Sequence, residues 1–308
     1  MRYLDPKNDL TFKKVFGRHP HLLQSFLNAL LPLEEGRQIE SLQYMGGEMT
    51  PVVPGLKHSI VDVRCRDNYG RQFIVEMQIL WTAAFKSRVL FNASKAYVTQ
   101  LPRGEEYHEI QPVYALSLVD HIFEPGSAEY YHHYRFVHTV EPERRLEGLE
   151  LIFIELPKFT AANLLDKRMQ VLWLRYMTEI RDQVDQISPD LLAVPELVEA
   201  VEYLRESAFT RDELIGYDQY WDAISSERTR LGAATREGRA EGRTEGRAEG
   251  RAEGKQEGKH EAALAIAQRL METGVGASTV SEATGLTLEQ VWQATTRPRL
   301  PLPVSGAE

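Results

Sequence analysis

Three different spacings of apolar positions run along this chain, and they divide it into segments. Over the first thirty residues the spacing is helical: LTFKKVFG and HLLQSFLNALL each have an apolar face, predicting two short helices. Asn8 or Asp9 is placed to cap the first, and Pro20 opens the second. From Lys57 to Leu80 the period falls to two: SIVDVRCRD, then Asn68-Tyr69-Gly70, then RQFIVEMQIL, the pattern of a β-hairpin. Helical spacing returns over residues 82–101, where Phe85, Val89, Ala93 and Tyr97 share a face and Pro102 stops the run. PVYALSLVD (112–120) and LELIFIEL (149–156) read as buried strands. This order describes an α/β fold, a mixed sheet flanked by helices.

From about Ala161 to Leu231 the text is helical again, through LLDKRMQVLWLRYMTEI and a segment opened by the capping box Thr210-x-x-Glu213. Glu-Gly then recurs every four residues from Glu237-Gly238 to Glu257-Gly258. Four residues advance about 400° around a helix, so Glu and Arg/Lys form separate stripes that drift about 40° per repeat. Like charges fall at i,i+4, and each of the glycines costs about 1 kcal/mol relative to alanine, so the helix is marginal in isolation. Self-association of copies, Glu stripe against Arg stripe, is one reading; a solvated spacer and a nucleic-acid-binding arm are the others.

EAALAIAQRLMETG and ASTVSEATGLTLEQVWQAT follow with a helix-turn-helix rhythm. The second helix carries no Arg or Lys before Arg297, which favours a packing unit over a DNA reader. The expected divisions are a core over residues 1–160, a helical extension packing on it over 161–232, the repeat over 233–260, a small helical unit over 261–296 and a disordered tail over 297–308.

Composition narrows the function classes. With one cysteine, Cys65, no intramolecular disulfide forms, and MRYLDPKNDL has no signal-like apolar run. No stretch approaches the roughly 20 apolar residues that span a bilayer. The expectation is a cytoplasmic protein without membrane contact. Net charge is −9, and the excess lies in residues 1–230, with 34 acids against 26 Lys and Arg. Nucleic acid is not held by such a global field, so any contact must be local, transient or bridged by a divalent cation.

The hairpin is where such a cation finds ligands. If Asn68-Tyr69-Gly70 is a three-residue loop with Gly70 left-handed, Asp67 faces Arg71 and Asp62 falls opposite Glu76. Gln78, two residues on, shares their face. Opposed carboxylates repel unless a positive species lies between them, and hard oxygen ligands suit Mg²⁺, with Mn²⁺ or Ca²⁺ as alternatives. The backbone carbonyl of Met77 is a further candidate ligand. Ile60, Val61, Val63, Ile74, Val75, Met77 and Ile79 mark interior strands. The residues alone leave a second reading open, in which both acids sit at strand ends near solvent. His132 and His133 have no partner at zinc spacing and read as part of an aromatic surface patch.

Asp62, a short hairpin and Glu76-Met77-Gln78 resemble the PD-(D/E)XK nuclease core. DLTFKKVFG, SIVDV, VEMQ, FKSRVLFNASKAYVTQL, QPVYALSLVD and IELPKF, in that order over residues 5–160, resemble more closely the recombination-promoting nuclease (Rpn) family, the PD-(D/E)XK nuclease family transposases. The Glu-Gly tail is similar to the C-terminal ends of that family.

The resemblance implies a restriction-endonuclease-like core with a helical C-terminal extension. It also implies a divalent-metal-dependent endonuclease acting on DNA in recombination or transposition, with no small-molecule cofactor. Asp62 and Glu76 match the metal-binding acids, and Gln78 matches the superfamily lysine, so the positive charge must come from elsewhere. Lys86 and Arg88 are the nearest candidates, and both also suit a solvated helix face. Asp9 matches a family acid that completes the metal shell, and an N-cap explains it equally well. Tyr97 and Gln100 are similar to residues flanking some nuclease centres. A homo-oligomer built through the repeat brings two sites to two strands. The alternative is a catalytically decayed nuclease fold acting as a DNA-binding or assembly factor.

Overall fold

A turn sets the register of everything around it. In the computed structural model, which describes residues 2–49, 59–101, 106–161, 168–182, 184 and 186–296, Gly70 has φ +82°, the left-handed conformation in which only glycine avoids strain. The Asp67 carboxylate accepts the N–H groups of Tyr69 at 3.0 Å and Arg71 at 2.9 Å and the Arg71 Nε–H at 2.7 Å. Strand β4 (Val63–Asp67) therefore pairs antiparallel with β5 (Gln72–Gln78), Val63 opposite Val75 and Arg66 opposite Gln72.

The hairpin is the middle of a six-stranded sheet. With β1 (Leu42–Met45), β6 (Val113–Val119), β7 (Tyr131–Val137) and β8 (Arg145–Glu155), its order is β1-β4-β5-β6-β8-β7. The pairs β5–β6 and β6–β8 are parallel, while both edges are antiparallel. Odd-numbered β5 residues Phe73, Val75 and Met77 pack against α1 (Asp9–Phe16), α2 (Pro20–Leu30), α4 (Arg168–Glu179) and α5 (Pro195–Glu202) around buried Trp173. Ile74 faces the other way, under Phe85, Val89, Ala93 and Ala96 of α3 (Phe85–Val98). The chain is thus the expected mixed sheet between helices, with Asn8 capping α1 through Leu10 N–H at 2.9 Å.

Several expectations need correction. The strand read from Lys57 is interrupted at Asp62; Lys57 and His58 lie outside the described residues. Strand β3 (Ser59–Ile60) instead pairs with β2 (Glu48–Met49) in a separate two-stranded sheet. Ile60, read as interior, is 70% exposed because that small sheet leaves one of its sides to solvent. His132 and His133, read as part of an aromatic surface patch, stand on an edge strand whose Tyr134 and Phe136 are exposed; in addition His133 meets the Glu150 carboxylate and His132 Nε2 lies 3.2 Å from Glu155. Leu164 to Lys167 and the disordered tail expected over 297–308 also lie outside the described residues.

By internal contacts the chain forms two units, Met1–Arg228 and Thr229–Glu308. Helix α6 (Arg211–Glu272) opens on the capping box, Thr210 N–H donating to Glu213 at 2.8 Å. The Glu-Gly repeat is helical throughout, since it propagates from apolar turns at either side and needs no nucleus of its own. In the second unit Leu264, Ala267, Val280, Leu286, Val291 and Ala294 enclose a small core with α7 (Ala277–Thr284) and α8 (Leu288–Thr296). Among the described residues no helix is long and apolar enough to cross a membrane.

Asp67 and Arg71 are almost fully enclosed, with side chains 0% and 3% exposed. Asp67→Ala strands a buried guanidinium and should destabilise the chain by about 3 kcal/mol in urea unfolding. A loss near that of an exposed pair, below about 1 kcal/mol, would show that the turn does not depend on it.

Candidate active site

The antiparallel ladder stops at Val63, and the next residue outward turns its side chain into the gap. Asp62 Oδ2 accepts the Met77 N–H at 2.8 Å, where a backbone carbonyl would otherwise pair. Continuing the ladder register puts Asp62 across from Glu76, which is buried on the face of β5 that α3 covers. Asn92 of α3, also buried, donates its amide to Glu76 Oε1 at 2.9 Å. One oxygen of each acid is thereby fixed. Among the described residues, the other two, Asp62 Oδ1 and Glu76 Oε2, accept no hydrogen bond, and each has a cation at longer range. Lys13 lies 3.9 Å from the first and Arg88 3.7 Å from the second.

Gln78 does not stand in for a lysine directly. Its Nε2 donates to the Leu80 carbonyl and its Oε1 accepts from Arg88 at 2.6 Å. The amide orientation is forced, because guanidinium only donates and a carbonyl only accepts. Gln78 therefore holds Arg88 beside Glu76. Lys86, the other candidate cation, turns away to Glu124 and lies 4.7 Å over the Phe123 ring. Asp9 Oδ1 is taken by Lys13 at 2.7 Å. Tyr97 packs by Gly148, and Gln100 bonds both ways to the backbone of Gln111, at the far end of α3. The geometry gathers Asp62, Glu76, Gln78, Arg88 and Asp9, and separates Lys86, Tyr97 and Gln100.

Asn92 and Lys13 belong to this group and were not singled out in the sequence. Lys13 lies four residues after Asp9, the one available signal; Asn92 had none, since its partner is distant in the chain. A second buried charged group adjoins: Lys7 pairs with Asp120 at 3.0 Å and Asp5 at 3.8 Å. The Asp120 N–H in turn donates to the Gln78 carbonyl at 2.9 Å. Burial lifts the Asp5 carboxyl to about 6 against the opposing charge of Lys7.

Both central acids are held above their ordinary range. Burial is the main cause for Asp62, opposed by the Met77 N–H and reinforced by Asp9, with Lys13 and Arg88 pulling back. For Glu76 burial again leads, opposed by Asn92 and Arg88 and reinforced by Asp62. Such a pair accommodates another positive species. Among the described residues no three His, Cys, Asp or Glu side chains come together as a metal cluster. A protein set of two carboxylates with unbonded oxygens does fit Mg²⁺, which takes one or two carboxylates and completes its shell with water and substrate oxygen. It does not fit a closed zinc site. Asn92 Oδ1, buried without a partner, is a further polar atom left unsatisfied next to Glu76.

A family model described as PD-(D/E)XK nuclease family transposase matches residues 6–230. No curated protein and no solved structure matches the chain.

The raised carboxyls have a sign that can be tested. Each binds its proton more tightly folded than unfolded, so its stabilising effect is complete below the ordinary carboxylate range near about 4 and is lost as pH rises through the raised value. Asp62→Asn and Glu76→Gln should therefore raise the Tm of the metal-free chain at neutral pH, with the gain vanishing in acid. A fall in Tm at neutral pH for both variants would contradict the electrostatics described.

Proposed function

With residues 6–230 matched, the chain belongs to the PD-(D/E)XK nuclease family transposases, and from that premise we propose that it is a divalent-metal-dependent DNA endonuclease serving recombination or transposition. The observation that carries this reading is the carboxylate pair with one fixed and one unbonded oxygen on each acid. Asp62 and Glu76 would hold the cation, Mg²⁺ before Mn²⁺ or Ca²⁺. The carbonyl of Met77 adds a third oxygen, since it leaves β5 on the same side as the N–H that meets Asp62. A cation held by these residues would supply an electrophile that lowers the pKa of a water and offsets the negative charge developing on the phosphoryl oxygens.

The protein groups divide the remaining work. Met77 N–H and Asn92 aim the carboxylates, so the ligand oxygens need not reorganise. Gln78 orients Arg88, whose side chain is half exposed and whose fixed charge is available to a phosphate oxygen. The superfamily lysine is thus replaced by an amide and a guanidinium from two elements. Gln78 also motivates the second reading, a nuclease fold without catalysis that binds DNA or assembles, because its amide is fully spent within the protein.

Plasmid nicking with Mg²⁺, Mn²⁺ and Ca²⁺ separates the readings. Asp62→Ala should abolish nicking and Arg88→Ala should slow it by about 100-fold. Equal nicking by the Asp62 variant and the parent, or none by either with any of the metals, would leave the binding or assembly reading in its place.

The repeat supports a homo-oligomer in this proposal. A Cβ added at Gly238, Gly242, Gly246, Gly250, Gly254 or Gly258 would meet nothing within 4 Å among the described residues, so no packing among those residues explains their helix-weakening cost. A second copy does: small residues permit close approach, and the Glu stripe of one helix faces the Arg stripe of the other. Light scattering should give a multiple of the chain mass for residues 1–308 and a single mass for residues 1–232. Equal association states for the two would remove the repeat from assembly.

A further inference from the structure

We propose that Lys13 is a second phosphate-binding cation of this site, contributed by α1 at the Asp62 end of the carboxylate pair as Arg88 is contributed by α3 at the Glu76 end. The inference rests on the nuclease reading above and assigns how the substrate backbone is held.

Its basis is the way α1 presents the ammonium. Phe12, Val15 and Phe16 are buried in the core and fix the roll of the helix, which leaves Asp9 and Lys13 one turn apart on its open face. Asp9 Oδ1 takes one donor of the ammonium at 2.7 Å. Asp62 Oδ1 stands off at 3.9 Å, beyond hydrogen-bond reach, and the side chain is 43% exposed. A lysine ammonium carries three donors, so at least one remains for an oxygen arriving from solvent beside Asp62.

The surrounding lysines are committed elsewhere. Lys7 is enclosed between Asp5 and Asp120. Lys14 lies 3.6 Å over the Phe209 ring and donates to the Ala208 carbonyl at 2.5 Å. Lys86 is drawn to Glu124. In an acidic chain that cannot attract DNA by its overall field, the cations beside the metal-binding acids are placed to receive a phosphate. Asp9 is then the positioning residue for Lys13. Its carboxylate holds the ammonium in place, and its own oxygens are not needed by the cation.

The test uses the full chain and two binding measurements that need no turnover. Fluorescence anisotropy of a labelled DNA duplex in EDTA, over a series of NaCl concentrations, reads phosphate contacts; calorimetric titration with Mn²⁺ alone reads the metal shell. Lys13→Gln should reduce the slope of log affinity against log salt by about one phosphate contact, and Lys13→Arg should restore it. Both should bind Mn²⁺ at least as tightly as the parent, since a positive charge beside Asp62 is removed or kept but no ligand is lost. Asp9→Asn should weaken duplex binding as Lys13→Gln does and lower Mn²⁺ affinity by less than about threefold, the effect of one negative charge removed near Asp62 rather than of a ligand lost. An unaltered salt slope in a folded Lys13→Gln chain overturns the proposal, as does a tenfold loss of Mn²⁺ affinity in Asp9→Asn, which would make Asp9 a ligand. A parent chain that binds no duplex overturns it together with the nuclease reading, whereas Mn²⁺ bound equally well by Asp62→Ala refutes the metal site alone.

Discussion

A single hydrogen bond from the Met77 N–H to Asp62 marks the point where an ordinary hairpin becomes a site. Had β4 continued outward as a regular strand, the Met77 amide would have paired with a backbone carbonyl and the Asp62 side chain would have had no call on it. The break lets a carboxylate occupy the end of the ladder, locked by a backbone donor that cannot move without disturbing the sheet. Glu76 is fixed in the same manner from the other direction, by an amide from α3. The carboxylates are thus rigid on one oxygen and open on the other, the property a metal-binding pair requires.

This arrangement is costly in the absence of a cation. Burial raises both acids, and each also feels another carboxylate, Asp9 for Asp62 and Asp62 for Glu76. The protein offsets part of that cost with two side chains that stop short of full contact, Lys13 and Arg88. Neither forms a close ion pair with the acid it neutralises, because each is held by a different partner, Asp9 or Gln78. Charge is balanced while the ligand oxygens stay unblocked. In a closely paired arrangement, an entering cation would first have to displace a salt bridge.

In a chain with an excess of acids, Lys13 of α1 and Arg88 of α3 reach the carboxylate pair from elements on the two faces of the sheet. The repeat helix, with nearly balanced stripes of opposite charge, adds little net attraction for phosphate.

Much of this was legible in the sequence because the local rules were strong. The positive φ that Gly70 adopts, the period-two pattern and the three-residue loop fix the hairpin register from Arg66–Gln72 to Val63–Val75, and extending it by one residue points Asp62 toward Glu76. The Asn8 cap and the capping box before α6 follow from equally short-range signals, and the apolar runs mark β6 and β8 as buried strands, though not their parallel pairing. What the sequence could not reveal was the break in the strand at Asp62, since Ser59–Ile60 continues the alternating pattern and is diverted by a partner at Glu48–Met49. Nor could it choose between Lys86 and Arg88, two residues apart on one helix: the choice depends on the roll of α3, which its buried face against the sheet decides. Asn92 and Lys13 depended on the same long-range packing. Residue type and spacing determined which groups can ligate, because those are properties of the chain's local geometry. Only the tertiary structure decided which oxygens are fixed, which are open and which cations face them, because those contacts join segments that meet only when the helices close on the sheet.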